Sequence, residues 1–302
     1  MTETRTAVLL MAYGTPSTPA EILPYYTDIR RGNAPSDEQL ANLVARYEAI
    51  GGVSPLAQRT EAQRQALQAA LDRAVDGRYF VALGMKHSAP SIEHAVDELA
   101  ANGFRRVIGL VLAPHYSAFS IGQYLSRLTA AAAPHGISVG AIESWATESA
   151  FIEFIAGDVR AQLAELPPPT TVLFTAHSLP QRILASGDPY PAEVKATAQC
   201  VADACGLDDW GMAWQSAGRT PEPWLEPDVL DVIDELAAAG TTRAVLVSAV
   251  GFVADHLEVL YDLDIEAADR ARRHGLAFAR TACVNDNPAV MTALAQRIVG
   301  TA

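Results

Sequence analysis

Five carboxylates and one imidazole crowd into twelve residues: Asp255, His256, Glu258, Asp262, Asp264 and Glu266, all within GFVADHLEVLYDLDIEA (251–267). The segment before them, AVLVSAVGFV (244–253), is almost wholly apolar, as a strand covered on both faces would be. Glu258, Asp262 and Glu266 stand four apart, so each step drifts only about 40° around an α-helix and the three form one stripe. A stripe of this kind is either a solvated acidic face or a cation site. Like charges at i, i+4 cost a helix stability, and an attracted cation would offset that cost. The residues alone leave both readings open.

His177 ends the run VLFTAH and opens the turn SLP, and His87 (GMKHSAP) and His115 (APHYSAFS) occupy comparable positions after apolar runs. A histidine there is a hydrogen-bonded structural residue or a group that binds and moves protons. A basic cluster, Arg30, Arg31 and Arg46, lies within YYTDIRRGNAPSDEQLANLVARYEAIGGVSPL (25–56). Arginine forks match carboxylates, and Tyr25, Tyr26 and Tyr47 would suit the wall of a flat ligand. Pairing with the local Asp28, Glu38 and Glu48 accounts for the same arginines without a ligand. No Walker loop and no GxGxxG occurs, so a nucleotide cofactor is not indicated.

These groups need strands to carry them. Apolar runs at 7–13, 79–85, 106–113, 138–145, 171–177, 210–216, 244–250 and 277–283 alternate with amphipathic helical patterns, which implies α/β architecture with parallel sheets flanked by helices. The chain also repeats itself. VLLMAYGTP (8–16) aligns on VLFTAHSLP (172–180), and DELAANGFRRVIGL (97–110) on DELAAAGTTRAVLV (234–247), in the same order. Two similar halves are expected, 1–145 and 146–302, with a ligand cleft between them and a C-terminal helix free to pack on the first half. Tyr13 aligns with His177, both at strand C-termini where doubly wound sheets place their ligands.

Half of the 302 residues are hydrophobic, enough for large cores, and no apolar run is long enough to span a membrane. The N-terminus reads as a short strand rather than a signal peptide, so the expected location is the cytoplasm. A net charge of −13 argues against nucleic-acid binding. Cys200, Cys205 and Cys283 are too few for a four-cysteine iron–sulfur cluster and are read as reduced thiols.

The motifs MAYGTP, YYTDIRRG, RYEAIGGVSPL, APHYSAFS, AHSLP, GDPY, WQSAG, PWLEPDV and GFVADHLEVLYDLDIEA occur in an order and over a length that resemble the ferrochelatase family. That resemblance implies two Rossmann-like halves with a porphyrin in the cleft between them. It implies no organic cofactor, Fe²⁺ as substrate, and His177 with Glu258 as inner metal ligands and proton handlers. Asp262 and Glu266 would form an outer site for a hydrated cation, Fe²⁺ or Mg²⁺, on a π-helical segment, with Asp255 and His256 in support. The short-chain bacterial branch that acts on coproporphyrin III is the nearest in pattern. There Tyr13 would be axial to the product iron, and Arg30, Arg46, Tyr47, Ser54 and Tyr124 would hold the porphyrin, with Lys86 and Arg31 as further contributors. The same branch implies a monomer that passes its product to a haem-forming decarboxylase. The rivals are a protoporphyrin ferrochelatase, a cobalt chelatase acting on a sirohydrochlorin-type ring, and a carrier that binds haem or metal without turnover.

Overall fold

The computed structural model describes residues 5–218 and 220–301, which fall into two compact units. In the first, β1 (Thr6–Ala12), β2 (Tyr79–Met85), β3 (Arg106–Val111) and β4 (Ser138–Ile142) form a parallel sheet in the order β2-β1-β3-β4. In the second, β5 (Thr170–His177), β6 (Trp210–Gln215), β7 (Ala244–Ser248) and β8 (Ala277–Arg280) form a parallel sheet in the order β6-β5-β7-β8. The two orders are the same, so the repeat in the sequence is a repeat of topology.

Strand β1 is buried at every step, and apolar from Ala7 to Ala12, because it is paired on both edges and covered on both faces. Ala7, Leu9 and Met11 pack in one core cluster with residues of the helices Ile92–Ala101 and Ile121–Ala132. Val8 and Leu10 point the other way and are as fully buried. The C-terminal helix Pro288–Thr301 packs on the helix Leu56–Ala74 and on β4. Gln63 Nε2 donates to the Asn285 carbonyl (3.0 Å) and Arg297 donates to the Ser144 carbonyl (2.9 Å). The segment from Asn285 onward therefore belongs to the first unit, and the second unit spans Ala146–Val284 rather than 146–302.

The register refines the repeat. Val8 pairs with Ile108, whereas its counterpart Val172 pairs with Leu246, one residue beyond the position a gapless alignment gives. The helix Val229–Ala239 is capped at its start by the Asp228 side chain (2.9 Å to Leu230 N) and ends at Gly240 in the left-handed region, φ 64°. Gly103 precedes β3 by three residues but Gly240 precedes β7 by four, and that extra loop residue is the offset.

Beyond β7 the chain turns back against β5. Gly251 N donates to the Thr175 carbonyl (3.1 Å), and a Cβ at Gly251 would lie 2.5 Å from the Ala176 Cβ and 2.7 Å from its Cα. Backbone contact this close, one residue from His177, admits only glycine. Gly251→Ala is expected to destabilise the protein by about 1–3 kcal/mol through overpacking, measured by urea unfolding. An unchanged midpoint would show that the turn relaxes without strain.

Candidate active site

His177 is the last residue of β5, and Tyr190 Oη donates to its carbonyl (2.8 Å). The edge of the Phe252 ring lies against its imidazole, with centroids 6.4 Å apart. The acidic segment is positioned from its apolar side. Val259, Leu263, Ala267 and Ala271, again four apart, are buried in the core of the second unit. Each apolar residue up to Ala267 follows one acidic residue, so burying one stripe fixes the direction of the other. The segment is a short helix, Leu257–Leu260, running into a π-helix, Asp262–Ala267, in which Glu266 N donates to the Tyr261 carbonyl (3.0 Å). The wider π turn brings residues four apart closer to one line than an α-helix would.

The five carboxylates have different fates. Glu258 Oε2 stands 3.2 Å from His177 Nδ1 and 3.7 Å from His256 Nε2. Both His177 and Glu258 keep about a third of their side-chain surface exposed, yet Nδ1 itself is buried and has no aligned hydrogen-bond partner. Asp262 is buried and accepts a short hydrogen bond from Ser216 Oγ, a residue held in the left-handed region at φ 61°. Asp264 receives both prongs of Arg280 (2.5 and 2.9 Å), and Asp255 meets the same guanidinium at 3.4 Å. Glu266 is exposed. Asp255, expected in support of the acidic stripe, meets the Arg280 guanidinium that also grips Asp264. His256 does face Glu258, oriented by its Nδ1 contact with the Ala254 carbonyl (2.9 Å).

Electrostatics sharpen the pair. Burial works against protonated His177, but the Glu258 carboxylate and then Asp262 outweigh it and raise its pKa. Burial likewise opposes ionised Glu258, yet His177 and His256 hold it well below the usual carboxylate range. Two donors 3.2 Å apart also suit a first-row divalent ion, since bonds of about 2.1 Å at 90–109° set ligand atoms about 3.0–3.4 Å apart. The pair can therefore hold one proton or share one cation. Among the described residues no group of three or more His, Cys, Asp or Glu side chains is arranged to hold a metal.

In the first unit, Tyr13 follows β1 and is 41% exposed. Its ring packs on His87 (centroids 4.6 Å) and edge-on to Tyr25 (6.5 Å), and His87 Nδ1 contacts Asp28 Oδ2 at 2.7 Å. Lys86 Nζ lies 5.9 Å from the Tyr13 ring centroid and 5.1 Å from that of buried Tyr124, donates to Gln123 Oε1 (2.8 Å), and is lowered to about 8 by burial and by Arg127 and Arg31. Arg30 closes the helix Ile22–Ile29, lies over the Tyr26 ring and donates to the Asn33 carbonyl (3.2 Å). Arg31 takes φ 57° and is exposed. Arg46 is half-buried, while Tyr47 is a core residue with its hydroxyl 3.4 Å from Thr15 Oγ1. Ser54 is buried and accepts from Leu56 N (3.2 Å) at the start of the next helix. His115 is buried and held down to about 3 by that burial. All three cysteines are free, and burial pushes Cys283 up to about 12, with Asp255 adding to the rise.

Residues 5–301 match the family model described as Ferrochelatase. The chain belongs to the ferrochelatase family. It is 45% identical to a ferrochelatase of Herpetosiphon aurantiacus, covering 98% of this chain and 99% of that one. It is 43% identical to the coproporphyrin III ferrochelatase of Geobacillus kaustophilus (99% and 96%) and 42% identical to that of Oceanobacillus iheyensis (99% and 97%). Among solved structures it is similar in fold to the sirohydrochlorin chelatase SirB of Bacillus subtilis subspecies spizizenii in complex with cobalt. That likeness has a TM-score of 0.60 at 11% identity and covers 99% and 96% of the two chains.

Ser216, Gln215 and Arg280 were not singled out by spacing, and Asp28 was named only as a partner for the arginines. WQSAG signalled the first two only as part of a motif. The charge pair of this ferrochelatase-family site is intact above the Glu258 midpoint and is lost as pH rises through the raised His177 midpoint. A histidine NMR titration is expected to place His177 above free imidazole, and Glu258→Gln to move it down. No movement would remove Glu258 as the cause.

Proposed function

We propose that this protein inserts Fe²⁺ into coproporphyrin III, the step of haem biosynthesis that yields iron coproporphyrin. The observation that carries the reading is the His177–Glu258 pair, an imidazole and a carboxylate at ligand spacing in a chain of the ferrochelatase family. Insertion replaces two pyrrole N–H protons by one divalent ion, so the balance is Fe²⁺ in and two protons out. Neutral His177 takes up the two pyrrole protons one after the other, releasing each to solvent, and Glu258, ionised at working pH, offsets the charge of arriving metal or of the imidazolium. Imidazole and carboxylate bind Fe²⁺ yet release it, whereas thiolates would hold it more tightly.

Tyr13 is the proposed axial ligand of the product iron, its exposed ring set by His87 and Tyr25. Arg30, Arg46, Tyr47, Ser54 and Tyr124 are the proposed holders of the porphyrin, with the arginines pairing with its carboxylates. Asp262 and Glu266 are proposed as the outer site that attracts a hydrated cation, Fe²⁺ on entry or Mg²⁺. The protein is proposed to act as a monomer in the cytoplasm and to hand its product to a decarboxylase. Among the described residues no helix is long and apolar enough to cross a membrane.

Anaerobic Fe²⁺ insertion under multiple turnover, with coproporphyrin III and protoporphyrin IX compared, tests the assignment. A higher kcat/KM for coproporphyrin is expected, and a preference for protoporphyrin would overturn the substrate. Binding without turnover would make the protein a carrier. Arg30→Ala and Arg46→Ala are each expected to raise the coproporphyrin KM about tenfold, the worth of one charge-assisted hydrogen bond. His177→Ala is expected to lower kcat by about 100-fold or more with porphyrin binding retained.

A further inference from the structure

Gln215 is almost completely buried, 1% exposed, and the chemistry above gives it no task. It is the last residue of β6 and pairs directly with His177 across the β5–β6 ladder. Side chains paired across a parallel ladder emerge on the same face, as do residues two apart on one strand. Thr175, His177 and Gln215 therefore share one face at the C-terminal end of the sheet. Both ends of the Gln215 amide are used there. Its Oε1 accepts from Thr175 Oγ1 (2.8 Å), and its Nε2 donates to the main-chain carbonyl of Glu258 (2.9 Å). Its own carbonyl accepts from Ser178 N (2.8 Å), which ties the turn after His177 to the same residue.

We propose that Gln215 is a positioning residue that sets the His177–Glu258 spacing, with Thr175 anchoring the oxygen end of its amide. The inference rests on the role given above to His177 and Glu258. The Glu258 carbonyl only accepts, so it leaves the amide one orientation, with nitrogen aimed at Glu258, and the Thr175 hydroxyl donates to the oxygen at the other end. The brace grips the main chain of Glu258, not its carboxylate. The first helical turn is thereby locked to the strand end that carries His177, while the carboxylate stays free to rotate between His177 and an incoming cation. One backbone contact thus converts the lateral spacing of two strands into the separation of two ligands.

Gln215→Met keeps length and burial but breaks both hydrogen bonds. It is expected to raise the KM for Fe²⁺ about tenfold or more while leaving the Kd for coproporphyrin within about twofold, since losing a group that orients metal ligands typically costs about 10–100-fold in metal affinity. Thr175→Val should move the Fe²⁺ KM in the same direction, and Thr175→Ser, which keeps the hydroxyl, should restore it. Thermal melts of each variant separate folding from function. A lowered Tm with the Fe²⁺ KM unchanged, or equal rises for iron and porphyrin, would overturn the proposal. Glu258→Gln measured alongside distinguishes the two levels. If it leaves Fe²⁺ insertion unaffected, the reading of the pair fails; if it impairs insertion and Gln215→Met does not, only the brace fails.

Discussion

His177 Nδ1 and Glu258 Oε2 face each other across 3.2 Å, with the nitrogen buried and out of hydrogen-bond alignment. That separation constrains everything around it. It is too short for two uncompensated buried groups and suited to a shared proton or a shared divalent ion. Each group answers the other: the carboxylate raises the imidazole, and the imidazole lowers the carboxylate, both against the pull of burial. A neutral base beside an ionised ligand can take up a proton or share a metal without leaving either charge unpaired.

Around the pair, the dense acidic segment is divided among distinct duties. Arg280 neutralises Asp264 and touches Asp255, so two of the five carboxylates fasten the segment to β8. Ser216, at a backbone angle rarely taken by a residue with a side chain, fastens Asp262 to the end of β6. Glu258 is left facing two histidines and Glu266 faces solvent. The apolar stripe Val259, Leu263 and Ala267 beneath holds this arrangement against the core. A helix that would repel itself is stable because most of its carboxylates have local partners.

Much of the scaffold was legible in the sequence. All eight strands lie within or beside the apolar runs, and β1, β3, β5 and β7 are the most continuously buried, as strands covered on both faces are. The runs at 138–145, 244–250 and 277–283 outlast their strands, since Trp145, Ala249, Val250 and Cys283 are buried in the turns that follow. Two equivalent halves were legible from the repeat, but the extra loop residue before β7 was not, because glycine-ended turns of either length align equally well. Spacing alone joined Glu258 to Asp262 and Glu266, and the partnership of Glu258 with His177 came from resemblance to a family. Gln215 and Arg280 were beyond reach, since their partners are set by strand register and tertiary packing rather than by anything local.

The most direct test of the paired action of His177 and Glu258 is a double-mutant cycle in kcat for anaerobic Fe²⁺ insertion, using His177→Ala, Glu258→Gln and the two together. Residues that act as one unit give a double variant no slower than the worse single variant. Losses that multiply would show two independent groups and contradict a shared proton and metal site.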